Sequence, residues 1–120
     1  MPYICQNPDP FENQPLFDNG QCVKLVRACI KHLPPAGTWK EGIKVWGATD
    51  IPRGTAPFVE GRYPDNDSGQ HAEIYLFQDA HAIHVVDQYK GLKLSQRRKI
   101  RFKGGVGKIM NDASRYSVIK

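Results

Sequence analysis

The 120 residues predict an α+β domain, with one early helix packed on an antiparallel sheet of about five strands. Three observations carry that expectation. Within residues 17–33, "FDNGQCVKLVRACIKHL", apolar residues recur at helical spacing. Beyond residue 50 the chain breaks into short runs rich in β-branched and aromatic residues, separated by glycine, proline and aspartate turns. Two of those runs are joined by only four residues, which makes them antiparallel neighbours and places the helix on one side of a meandering sheet.

Taken in order, residues 1–17 carry four prolines and no periodicity and read as an extended N-terminal arm. Asp18 or Asn19 can cap a helix starting near Gly20. Val23, Val26, Ile30 and Leu33 form its apolar stripe, and Pro34-Pro35 ends it. "GTWKEGIKVWG" reads as a turn or short helical piece followed by an extended segment. A strand is expected around Thr55–Val59, and "YPDNDSGQ" (63–70) as an exposed loop. "HAEIYLF" (71–77) and "AIHVVDQY" (82–89) form a hairpin across "QDAH". "KIRFK" (99–103) alternates charged and apolar residues as a half-exposed strand does, and "RYSVIK" (115–120) closes the sheet.

The length fits a single domain spanning residues 1–120. Eleven glycines and nine prolines make it rich in loops, while 40% apolar residues keep it out of the disordered class. A net charge of +5 and a pI near 9.2 favour anionic partners: nucleic acid, a membrane surface or an acidic wall polymer. No run of 18 apolar residues is present, so no membrane span is expected. The N-terminus lacks the basic and apolar regions of a secretory signal. The chain is therefore expected to be cytoplasmic as synthesised, or to leave the cell by a route that needs no signal. Three cysteines are an odd number, which speaks against a disulfide-built scaffold.

Cys22 falls in the first helical turn after Asn-Gly-Gln. There the exposed N–H groups and the positive end of the dipole stabilise a thiolate and can hold an oxyanion. Cys29 lies seven residues on, about 10.5 Å along the axis, beyond the ~7 Å that a disulfide tolerates. Cys29 reads as a small core residue. Cys5, in the arm, is left free, bonded to another chain or bonded to Cys29. A nucleophilic cysteine needs a histidine to take its proton. His71, at the mouth of a strand, leads and His84 follows. His32 suits the helix C-terminus, and His81 a solvated turn. A third group must orient the base. With a turn at 78–81, Asp87, Gln88 and Tyr89 all come opposite residue 71. Asp87 leads because strands deplete aspartate, and a register slip of one would bring in Gln88. No Cys/His pairs stand at zinc spacing, so neither a metal nor another cofactor is expected. "GGVGKI" lacks the residues of a phosphate loop.

"GQCVKLVR", "GQHAEIYL" and "HVVDQY", in that order, resemble the papain-like cysteine amidases and peptidases of the NlpC and CHAP types. Within these, the sequence resembles the small amidase effectors of type VI secretion. The resemblance spans about residues 20–89 and implies a papain-like core with Cys22 as nucleophile, His71 as base and Asp87 as orienter. It implies hydrolysis of amide bonds in peptidoglycan stem peptides through a thioester, and a cognate inhibitor (immunity) protein as partner. Glu73 departs from the pattern, standing where relatives carry a small residue. It is read as narrowing the cleft, contacting substrate or perturbing the histidine. Gln21, beside the thiol, is a further candidate contact, with Trp39 or Trp46 and loop 60–70 lining the cleft.

"KGLKLSQRRKIRFK" (90–103) holds seven Lys/Arg and no acid. It reads as a solvated strand face or an attractor for an anionic polymer. A basic binding module and a catalytically inactive relative are the rival readings. Nucleic acid ranks below the wall, because no aromatic residues are interleaved with this run in a stacking motif.

Overall fold

The computed structural model describes residues 3–35, 38–59, 71–89 and 91–120. Helix α1 occupies Cys22–Cys29 and is followed by β1 (Glu41–Lys44), β2 (Pro57–Val59), β3 (Ile74–Gln78), β4 (Ala82–Asp87), β5 (Gln96–Arg101) and β6 (Tyr116–Ile119). The expected α+β order holds, but the strand count does not. The described residues form six strands in two three-stranded antiparallel sheets, ordered β1-β6-β2 and β3-β4-β5. The additional strand is β1, read from sequence only as an extended segment. Its four residues are mostly exposed, so they carry little of the apolar alternation that marks a strand.

The two sheets are stitched together. Phe58 pairs with Ala72 in an isolated bridge. The Val59 N–H donates to His71 O (2.9 Å), and Tyr75 N–H to Thr55 O (2.8 Å). The chain leading into β3 is thus held by β2 on one side, while β4 pairs with β3 itself. Behind β2, Gly54 sits at φ +95°, and a Cβ there would lie 2.0 Å from Cys5 O. Only glycine allows the arm to pass this close.

Two apolar clusters result. Leu25 and Val26 of α1 pack with Ile30, Leu33, Phe58, Ile74, Leu76 and Val86. Full burial of each such side chain contributes about 2 kcal/mol. Tyr75, Ile83, Val85, Ile100, Tyr116 and Val118 form the second cluster, between the inner faces of the two sheets. Alternation along the strands therefore sends Val86 toward the helix and Val85 and Asp87 toward the second layer. Trp39 belongs to the first cluster, edge-on to Phe58 at 5.6 Å, and so is core rather than cleft. Trp46 stacks on Phe102.

The helix is shorter than its apolar stripe. It ends at Cys29, and Ile30 and Leu33 are buried from a turn. Pro34 disfavours helical geometry at Leu33, and Arg27 pins the turn by donating to the Leu33 and Pro34 carbonyls at 2.9 Å each. His32 therefore lies past the helix end, tilted against Tyr3, and Arg27 is the cation of the last turn. At the other end Gln21, extended at ψ 146°, is the N-cap rather than Asp18 or Asn19. Asn19 instead accepts the Gln21 N–H at 3.1 Å.

Cys29 is not merely packed. It is joined to Cys5, with 5.3 Å between Cα atoms, which ties the arm to the end of α1. Helix geometry excluded a Cys22–Cys29 bridge but left this pairing open. The loop expected at 63–70, and its part in a cleft, lie outside the described residues.

Candidate functional site

Cys22 is the first residue of α1 and half-buried. Its position is set by the turn before it, where Gly20 at φ +88° sends its N–H back to Phe17 O. Gln88, fully buried at the end of β4, fastens that turn to the sheet. It accepts the Phe17 N–H (2.8 Å) and donates to Phe17 O (3.0 Å) and Gln21 O (2.8 Å). Gln88 is thus on the helix side of the strand and strapped to the helix lead-in, which removes it as an orienter of the histidine. No side chain caps the first turn of α1, and no acid stands in it. The positive end of the helix is left to the thiol.

His71 precedes β3 and is buried. Its Nε2 is 2.8 Å from Asp87 Oδ2, and its ring also hydrogen-bonds the Cys22 side chain. With Nε2 engaged by Asp87, Nδ1 is the nitrogen left to face sulfur. The three residues singled out in sequence therefore meet as one chain of contacts, Cys22–His71–Asp87. The register Ile74↔Val86 and Tyr75↔Val85 brings His71 and Asp87 together at the end of the hairpin. His84 is elsewhere, on the opposite face of β4, stacked on Phe77 and paired with Asp79 at 2.9 Å. His81 is exposed in the hairpin turn.

Asp87 is fully buried on the central strand of its sheet, so it is no edge-strand surface charge. It receives Nε of Arg98 (2.8 Å) on Oδ2 and Nε2 of Gln96 (3.0 Å) on Oδ1. Arg98 Nη2 lies 2.7 Å from the same Oδ2. Burial works against the Asp87 carboxylate, but the bonds and charges of His71 and Arg98 outweigh it and hold its pKa below the ordinary value. Burial likewise opposes a charged His71. Its hydrogen bonds to Asp87 and Cys22, and the charges of both, push it up to about 10. Near neutral pH the His71 ring is accordingly protonated against the Asp87 carboxylate.

Arg98 and Gln96 were missed in sequence because they sit inside a run of cations read as solvated. The signal was present in the alternation of "QRRKIR". Ile100 must face the core, and Arg98 and Gln96 share its face, whereas Arg97, Lys99 and Arg101 are exposed.

Glu73 is fully buried and therefore cannot contact substrate. Its Oε1 lies 3.8 Å from His71 Nε2, and burial, chiefly, raises its pKa to about 8. His71, Glu73 and Asp87 bring ligand-capable atoms within 4.8 Å of one another. The Arg98 guanidinium against Asp87 makes this a poor place for a dication. Gln21 is exposed beside the thiol, on the open side of the arrangement.

Known proteins resemble this chain in sequence and in fold. The family model for domesticated amidase effector 2 (Dae2) matches residues 1–119. A type VI secretion amidase effector 2 protein of Salmonella typhi is 40% identical over 93 residues, covering 75% of this chain and 69% of its own. The solved structure of type 6 secretion amidase effector 2 (Tae2) superposes with a TM-score of 0.85 at 30% identity, over 100% of this chain and 95% of that one.

Proposed function

The chain belongs to the domesticated amidase effector 2 family, and on that premise we propose that it is a cysteine amidase cleaving amide bonds in peptidoglycan stem peptides. Residues 1–120 act as one catalytic domain. Cys22 is the nucleophile, His71 the proton carrier and Asp87 its orienter. The observation that carries this reading is the buried His71 ring, bonded to Asp87 and to Cys22 at the uncapped start of α1.

The Cys22 thiolate attacks the carbonyl carbon of the amide, and the resulting oxyanion lies toward the first N–H groups of the helix. The His71 imidazolium gives its proton to the leaving amine as the C–N bond breaks, leaving a thioester on Cys22. His71, now neutral, takes a proton from water. The hydroxide attacks the thioester carbonyl, the C–S bond breaks to return the thiolate, and the carboxylic acid product leaves and gives its proton to solvent. Asp87 stays ionised throughout, held by Arg98 and Gln96, and fixes the ring orientation. Gln21, exposed next to the sulfur, is placed to touch the substrate peptide. The substrate is the bacterial wall and the setting the periplasm, where an immunity protein would restrain the enzyme in producing cells.

The test is release of peptide fragments from purified sacculi by the wild-type protein and by Cys22→Ala. Release by the wild type alone is expected. Equal release by the variant removes Cys22 from the chemistry. No release by a wild type that still binds sacculi supports an inactive binding relative instead.

A further inference from the structure

Beneath the His71–Asp87 pair lies a second carboxyl group that the reaction above does not use. Glu73 is fully buried, and neither of its oxygens accepts a hydrogen bond from the described residues. The donors around it are committed elsewhere. Arg98 directs Nε to Asp87 and Nη1 to Asn111 (3.0 Å), with Nη2 also against Asp87. Gln96 donates to Asp87. Tyr116, the hydroxyl neighbour of Glu73, donates to Met110 O at 2.7 Å. It therefore presents Glu73 with an oxygen lone pair rather than a proton. A carboxylate placed here would be buried with neither oxygen hydrogen-bonded. A neutral carboxylic acid at the same place avoids that desolvation cost.

We propose that Glu73 is a positioning residue that keeps its own proton, so that Asp87 is the single anion facing the His71 ring. The inference rests on His71 being the proton carrier of the reaction proposed above. Among the described residues, the titratable and charged groups facing Glu73 are His71 from its own segment, Asp87 from β4, Arg98 from β5 and Tyr116 from β6. The consequence is chemical. His71 must release a proton to the leaving amine, and each added negative charge near Nε2 makes that proton harder to release. An ionised Glu73, 3.8 Å away, would also compete with Asp87 for the Nε2–H.

Glu73→Gln keeps a neutral group of the same shape, whereas Glu73→Ala removes it. The pH profile of kcat/KM is read for all three proteins. The wild type should lose activity on the alkaline side as Glu73 ionises near pH 8. Glu73→Gln should match the wild-type rate at pH 6.5 and lack that fall, and Glu73→Ala should be slower throughout. A Glu73→Gln profile that overlays the wild type, or one that has lost most activity at pH 6.5, overturns the proposal.

Infrared spectroscopy of the wild-type protein with carbonyl-labelled glutamate needs no variant and no turnover. At pH 7 a protonated-acid carbonyl band that shifts with the label is expected. Its absence overturns the proposal even if Cys22-dependent cleavage is intact. If cleavage itself is absent, the band still decides the state of Glu73.

Discussion

At the scale of single residues, the site depends on which groups hold charge while buried. Asp87 lends His71 its hydrogen-bonded anion, so Asp87→Asn should lower kcat/KM by about 10²–10⁴-fold while KM changes little. In that variant the imidazolium also loses a stabilising charge, and the His71 pKa should move down from about 10. Alkylation of Cys22 by iodoacetamide reads this directly. With Cys22 and His71 resting as the ion pair from which the proposed reaction starts, the wild-type rate should stay nearly level between pH 6 and 8. The Asp87→Asn protein should instead show a rate that climbs with pH. A climbing wild-type rate would contradict the resting ion pair. Cys22, His71 and Asp87 were legible in the sequence because each sits at a telling place: a helix start, a strand mouth and an apolar strand. Glu73 was visible as an oddity, but its burial was not, since a charged letter gives no sign of which layer it faces.

At the scale of elements, strand β5 does two jobs by alternation. Arg97, Lys99 and Arg101 point outward, and Gln96, Arg98 and Ile100 point inward. Arg98→Met should cost about 3 kcal/mol in urea unfolding, since it leaves Asp87 buried with one cation fewer. It should also slow hydrolysis far more than Lys99→Met on the outer face. Equal small effects from the two would show that the inward pairing contributes nothing. The hairpin β3–β4 and the closing strand β6 were readable from composition and turn signals. Helix α1 was readable in its start but not its end, because Ile30 and Leu33 keep the apolar stripe going after the backbone has left helical geometry. Strand β1 was not readable as a strand, since edge position and exposure remove the pattern. The helix lead-in strap from Gln88 depends on a contact 67 residues distant in sequence, which no local motif encodes.

For the whole molecule, two features set stability. His71 binds a proton more tightly folded than unfolded, and so does Glu73, with pKa values raised from 6.5 to about 10 and from 4.5 to about 8. A raised folded pKa contributes stability in full below the unfolded value, and that contribution is lost as pH rises through the folded one. The Tm should therefore fall from pH 5 to pH 10, and Glu73→Gln should remove the part between roughly pH 4.5 and 8. A Tm that is flat or rising over that range would contradict both assignments. The second feature is the Cys5–Cys29 disulfide. Replacing both cysteines with serine should lower stability by about 3 kcal/mol, the closure entropy of a loop with a separation of 24 residues, measured by urea unfolding under non-reducing conditions. The odd cysteine count hid this bridge, because one unpaired thiol does not forbid a pair among the others.

That bridge has a consequence for survival among proteases. Cys22 lies inside the ring that residues 5 and 29 close, so one peptide-bond cut anywhere between them opens the ring without dividing the molecule. The severed arm stays covalently attached to the end of the helix, while the helix keeps its grip on the sheet through Leu25 and Val26. In a compartment that is oxidising and rich in degradative enzymes, a once-nicked chain remains a single body with its thiol still in place.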